Sequence, residues 1–320
     1  MRQHLSPLLK WIVRSWIWEE RTLKRPARIF IYALVLNGFL VSGAGIQADQ
    51  STVISSPLKL VSAPAKARVR GPRLRSESAI VADLSDGSIL YEKNSDAVVP
   101  IASITKLMTA MVVLDSKQDF DEDITITKDD KDTIRWSASR LPFGTILKRG
   151  DLLRLALMAS ENRAASALAR NYPGGKSGFV TAMNRKAGDM GLRGTVFFDP
   201  TGISAQNVSS ARDLVLLLAE AGTYPTIREF STTERHEVVI KGRTQAFGNT
   251  NLLVRRDSWR IDVSKTGFIK EAGKCLVMQT WISERPLAIV LLDSWGRLTP
   301  VGDANRVRKW VERLDVASKT

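Results

Sequence analysis

Cysteine and histidine are nearly absent from this 320-residue chain: Cys275 is the single cysteine, and the two histidines, His4 and His236, lie far apart. A disulfide framework is excluded, and a His/Cys metal site has no ligand cluster to build on, so no metal and no cofactor is expected. Cys275 falls in the apolar run Cys275-Leu276-Val277-Met278 and reads as a buried strand residue. Acidic residues are also in deficit, 33 Asp and Glu against 47 Lys and Arg. Long hydrophobic runs are missing too, the most notable being a stretch from Ile29 to Leu40 that is short for a membrane-spanning helix.

That stretch has a different use. Arg21, Lys24, Arg25 and Arg28 precede it and small residues follow it up to Ala48, the order of an export signal with cleavage near Ala48. The 28 residues ahead of the apolar core include Trp11, Trp16 and Trp18 and are long for such a signal, so an uncleaved anchor is the alternative. Residues 49–75 are rich in Ser, Pro and Ala and carry Lys66, Arg68, Arg70, Arg73 and Arg75, a basic flexible linker by composition. Residues 1–48 hold seven basic and two acidic side chains, so 40 against 31 remain in the exported part, a net of about +9. In an exported protein such a charge favours anionic wall polymer or lipid head groups, by peripheral contact, and not nucleic acid.

What the chain does contain is three short motifs in order: Ser103-Ile104-Thr105-Lys106, Ser160-Glu161-Asn162 and Lys265-Thr266-Gly267. Singly each is weak. A second S-x-x-K, Ser56 to Lys59, opens nothing, whereas Ser103 follows Pro100 and opens the run Ile104, Leu107, Met108, Met111, Val112, Leu114, spaced for a buried helix starting near Ala102. Residues three apart on a helix share a face, so the Lys106 amine can reach the Ser103 hydroxyl. A serine needs such a base beside it. A lysine becomes one only if burial or a second cation, here Lys265, favours its neutral form. The plain alternative makes Ser103 a helix cap and Lys106 a solvated charge. Ser160-Glu161-Asn162 sits between the apolar stretch 152–159 and the Ala-rich 164–169, which predicts a break between helices or an ordinary cap. Lys265-Thr266-Gly267 reads as part of a strand edge, where glycine would let a substrate backbone approach.

The ordered set S-x-x-K, S-x-N, K-T-G is similar to that of penicillin-binding proteins and class A β-lactamases. With Pro100-Ile101-Ala102-Ser103, Asp199-Pro200-Thr201-Gly202, Ser210-Ala211-Arg212-Asp213-Leu214, Asn249-Thr250-Asn251 and Phe268, the chain from about Ser78 to Leu314 resembles the low-molecular-mass D-alanyl-D-alanine carboxypeptidase and endopeptidase family, on its endopeptidase side. The middle motif reads S-E-N where S-D-N is usual in the motif set. The resemblance implies Ser103 as acylated nucleophile, Lys106 as proton acceptor, Ser160 as proton relay and Asn162 as substrate-orienting residue. It further implies that Lys265 and Thr266 bind the substrate carboxylate, that Gly267 and Phe268 belong to the substrate-binding strand, and that the backbone N–H groups of Ser103 and Phe268 form an oxyanion hole.

The implied fold is α/β (α+β), β-lactamase/transpeptidase-like: an antiparallel sheet covered by helices, with a mainly helical insertion. Hairpins are expected at 80–93 and 276–292, and a helix at 301–314. The expected domains are a signal peptide at 1–48, the linker at 49–75 and a peptidase domain at 76–320, with sheet parts 76–108 and 236–320 and a helical part 109–235. The implied substrates are D-alanyl-meso-diaminopimelyl cross-links of periplasmic peptidoglycan, with β-lactam antibiotics as covalent inhibitors. A carboxypeptidase trimming pentapeptides is the alternative, and only six residues follow Leu314, which leaves no room for the extra β-domain and amphipathic anchor of many carboxypeptidases. A β-lactamase is disfavoured because residues 195–207 contain no Glu, and a non-catalytic wall binder because Ser103, Lys106 and Lys265 are all retained.

Overall fold

Ile80 and Val81 are adjacent in one strand and so point to opposite faces, yet both are fully buried. A sheet containing them must be covered on both sides. The computed structural model describes residues 58–62 and 71–318; the expected signal segment and most of the linker lie outside them. Strands β1 (Val61–Ser62), β2 (Ser78–Asp83), β3 (Ser88–Lys93) and β4 (Val99–Pro100) lead to a 3-10 turn at Ala102–Thr105 and helix α1 (Lys106–Asp115). Then follow β5 (Asp123–Thr125), β6 (Ile146–Lys148), α2 (Arg149–Met158), α3 (Asn162–Arg170), α4 (Gly175–Asp189), β7 (Val208–Ser209), α5 (Ala211–Ala221) and α6 (Pro225–Thr232). The hairpin β8 (Arg235–Ile240) and β9 (Arg243–Gly248) precedes three long strands, β10 (Arg260–Ile269), β11 (Gly273–Ile282) and β12 (Arg285–Ser294), and helix α7 (Thr299–Ser318).

The main sheet has six strands in the order β1-β3-β2-β12-β11-β10, antiparallel except for the short parallel pair β1–β3. Alternate residues feed two cores. Ile80, Ala82, Val277, Ala288 and Val290 pack with the helices α1 to α6, whereas Ala79, Val81, Leu276, Ile289 and Leu291 pack under α7. The face α7 buries carries Ala304, Val307, Trp310 and Val311, spaced for one helical stripe. Helix α1 is apolar nearly all round and is buried in the larger core, as an uninterrupted run of this kind requires.

Both expected hairpins are present, as β2–β3 and β11–β12, and so is the helix expected at 301–314, now Thr299–Ser318. The region expected to be a helical insertion is mainly helical. Its limits are not seams: α1 runs across position 108/109, and α5 packs in the same core as β12 and β2. Within the expected linker, Val61 and Ser62 pair with Ser88 and Ile89. Among the described residues no helix is long and apolar enough to cross a membrane.

Candidate active site

The helix expected to begin near Ala102 begins with a tighter turn. Ser103 lies in the 3-10 turn and Lys106 opens α1, so the pair stays close across one turn while the helix carries the lysine into the core. Lys106 is 1% exposed, and its Nζ lies 2.9 Å from Ser103 Oγ, 2.8 Å from Asn162 Oδ1 and 2.6 Å from the carbonyl oxygen of Thr201. The reading of Lys106 as a solvated charge is therefore excluded. Burial brings its pKa down to about 7, against the opposing pull of the Asp199 and Glu161 carboxylates.

Ser160 and Asn162 come from the break between α2 and α3, as the sequence predicts. Ser160 has φ of +59°, a left-handed conformation that a serine adopts only under constraint. The constraint has visible parts: Lys265 Nζ donates to Ser160 Oγ at 2.9 Å, and Glu161 N donates to the Leu155 carbonyl. Glu161, the departure from S-D-N, turns away from the cleft, accepting from Ser139 Oγ at 2.8 Å and from Arg140 Nε at 3.0 Å. It anchors the loop 132–140. Asn162 Nδ2 donates to Ser137 of the same loop.

Lys265, Thr266, Gly267 and Phe268 lie on β10, the edge strand of the sheet. Register places Gly267 opposite Cys275 and Lys265 opposite Val277, on the helix-covered face, and Thr266 opposite Leu276 and Phe268 opposite Lys274, on the face of α7. Lys265 is also 1% exposed; burial, and then the charge of Lys106, hold its pKa well below the ordinary lysine value. Of the two expected causes, burial or the charge of Lys265, burial is the one that lowers Lys106, and the charge of Lys106 adds to burial in lowering Lys265. Gly267 also lines the cavity and has a packing reason to be glycine. A Cβ there would sit 2.9 Å from the Ile101 carbonyl and 3.2 Å from Ser103 N, so glycine lets the strand pack against the nucleophile's turn. Cys275 is buried, as expected, with its thiol pushed up to about 12.

The structure brings all eight expected side chains or backbones to one cleft, and adds residues whose roles were not foreseen. Gly202, with φ of +80°, is pressed so closely on the nucleophile's turn that a Cβ would meet the Ala102 carbonyl at 1.9 Å. Ala102 is itself left-handed, with φ of +47°. Asp199 shapes this second turn by accepting from Thr201 N, Thr201 Oγ1, Gly202 N and Ser204 N, which delivers the Thr201 carbonyl to Lys106. Thr250 ties α2 to β10, its N–H donating to the Met158 carbonyl and its Oγ1 accepting from Thr266 Oγ1 at 2.7 Å. Arg135 joins the loop 132–140 to the β10–β11 turn through a 2.7 Å ion pair with Glu271, and donates to the Ile203 carbonyl. The sequence signals for Asp199 and Thr250 were the D-P-T-G and N-T-N strings; for Arg135 there was none.

The fold is that of penicillin-binding DD-peptidases. The Streptomyces K15 DD-transpeptidase superposes with a TM-score of 0.70 at 28% identity, over 76% of this chain and 98% of that one. A D-alanyl-D-alanine endopeptidase of Pseudomonas aeruginosa is 50% identical over 247 residues, 77% of this chain and 80% of the relative. One from Escherichia coli K12 is 45% identical over 243 residues, 75% and 78% of the two chains. The family model for D-alanyl-D-alanine carboxypeptidase, peptidase S11, matches residues 65–295, and the chain belongs to that family of serine peptidases.

Proposed function

We propose that this protein is a serine D,D-peptidase that cuts D-alanyl-meso-diaminopimelyl cross-links in peptidoglycan. The observation that carries this reading is the 2.9 Å approach of Ser103 Oγ to a fully buried Lys106 amine whose pKa lies near 7. A substantial fraction of that amine is neutral at neutral pH and can take the serine proton as Oγ attacks the D-alanyl carbonyl carbon. The N–H groups of Ser103 and Phe268 receive the developing oxyanion, and losing one such donor costs on the order of 100-fold to 1000-fold in rate. The proton passes by way of Ser160 to the leaving amine, the C–N bond breaks, and a Ser103 ester remains. Water then attacks that ester, and the acid leaves with the serine hydroxyl restored. Lys265 and Thr266 hold the carboxylate of the leaving residue. That carboxylate supplies the counter-charge which a buried Lys265 lacks and draws a proton back onto it. Asn162 keeps both Lys106 and the substrate in place.

Support for endopeptidase over carboxypeptidase action comes from the names of the relatives at 50% and 45% identity. The β-lactamase alternative loses further ground because Asp199, the acid of residues 195–207, spends its carboxylate oxygens on the turn that presents Thr201. We further propose export to the periplasm with cleavage near Ala48, checked by N-terminal sequencing of the purified protein; intact Met1 in a salt-resistant membrane fraction would favour the anchor. The function itself is tested with labelled penicillin and with muropeptides. Ser103→Ala should abolish labelling in a folded protein, and cross-linked dimers should be cut faster than pentapeptide is trimmed. Rapid release of D-Ala from monomers with dimers left intact would instead make it a carboxypeptidase.

A further inference from the structure

The cavity that contains Ser103, Ser160 and Asn162 has a volume of about 410 Å³ and does not end at the catalytic groups. It runs on along the α7 face of β10, between Phe268 and the segment 297–301, where Leu252 and Leu298 form its sides. These three apolar side chains are 56%, 41% and 57% exposed, unusual for residues so near a core. At the far end stand Lys274 and Arg297. Among the described residues neither forms an ion pair or a side-chain hydrogen bond. The Lys274 ammonium rests 3.1 Å from the centroid of the Phe268 ring, and burial and then the charge of Arg297 make it easier to deprotonate. Two like charges share one end of a groove with no carboxylate to neutralise them.

Register gives the groove a length scale. Lys274 lies opposite Phe268 and Leu276 opposite Thr266, so Lys274 is two residues further along the sheet than Thr266, about 7 Å at the usual strand rise. Thr266 offers a hydroxyl at one end, and two residues further along the Phe268 ring and the Lys274 ammonium lie together, with Leu252 and Leu298 lining the same cavity. A diaminopimelyl leaving group carries matching parts: a carboxylate beside the scissile bond, a spacer of three methylenes, then a second centre whose carboxylate is free where the leaving stem ends at diaminopimelate. A leaving D-alanine has the first of these and nothing beyond.

We propose that Phe268, Leu252 and Leu298 bracket the methylene spacer of the leaving stem, and that Lys274 binds its distal carboxylate, making Lys274 a specificity residue for cross-links over terminal D-Ala. This rests on the endopeptidase reading above. The test compares two synthetic cross-linked dimers, one with the leaving stem's distal carboxylate free and one with it amidated, alongside monomeric pentapeptide and labelled penicillin. The intact protein should cut the free dimer about tenfold faster, in kcat/KM, than the amidated one, the effect of one charge-assisted hydrogen bond. Lys274→Met should erase that preference while still labelling with penicillin, and Lys274→Arg should restore it. If Lys274→Met discriminates between the two dimers as the parent does, the assignment of Lys274 is wrong although the endopeptidase stands. If the parent protein cuts neither dimer while releasing D-Ala from pentapeptide, the endopeptidase reading itself falls, and the subsite with it.

Discussion

At the scale of single residues the site is held together by conformations that are costly in isolation. Ser160 is left-handed, and both alanine and glycine would remove its hydroxyl, but only glycine would also release the backbone strain. Ser160→Gly should therefore be more stable than Ser160→Ala by about 1 kcal/mol in thermal or denaturant unfolding, with acylation slowed alike in both. Gly202→Ala should do the reverse. Its Cβ would overlap the Ala102 carbonyl, so a loss of about 3 kcal/mol and of penicillin labelling together is expected. Lys106 supplies a pH signature. A lysine lowered from 10.5 to about 7 by folding binds fewer protons in the native than in the unfolded state across that window, so its contribution to stability is most unfavourable below about 7 and is relieved as pH rises toward 10.5. Acylation should rise through an apparent pKa near 7 when rates are measured from pH 5.5 to 8.5, a value belonging to the coupled Lys106–Lys265 pair. A flat rate over that range would remove Lys106 from the role of base.

Among elements, the loop 132–140 touches both walls of the cleft, as Thr250 does. It meets the helical side through Ser137 and Ser139, and the β10–β11 turn through Arg135. The Arg135–Glu271 pair is solvent-screened and contributes little to global stability. Its local effect is larger, because it fixes the loop that holds Asn162. Arg135→Ala should leave the melting temperature within about 2 °C while speeding amide exchange at residues 133–139 and lowering kcat/KM roughly tenfold. Unchanged exchange in that loop would show that Glu271 is not what restrains it. Nothing in the sequence announced this loop's role. The motif elements were legible because local spacing determines them: the turn and helix from Ala102, the break at Ser160 and the strand at Lys265 each follow from apolar periodicity and its interruption. Arg135 and Glu271, like Thr201 and Lys106, meet only through the tertiary fold. The backbone strain at Ala102 and Ser160 was equally hidden, since neither residue type signals a left-handed position.

Taken whole, the molecule makes its cleft from distant stretches of chain. The Ser103 turn follows β2 and β3, whereas β10 carries Lys265 and is connected to β2 only through β11 and β12. Leu287 of β12 pairs with Asp83 of β2, and Leu292 with Ser78, contacts between segments some two hundred residues apart. The two hairpins were readable locally and the helix-covered antiparallel sheet was implied by the family resemblance, but which distant strands neighbour one another was not legible, because a hydrophobic pattern specifies a face and not a partner. Long-range pairing of this kind is slow relative to helix formation. During refolding from denaturant, far-ultraviolet circular dichroism should recover first, and penicillin labelling should return only with the near-ultraviolet signal of packed aromatic side chains. A chain truncated after Ile269 should bind no penicillin even though it contains all three motifs. Completion of the last strand pairing should thus act as a timer on chemistry, with an unfinished chain inert toward peptide and antibiotic alike.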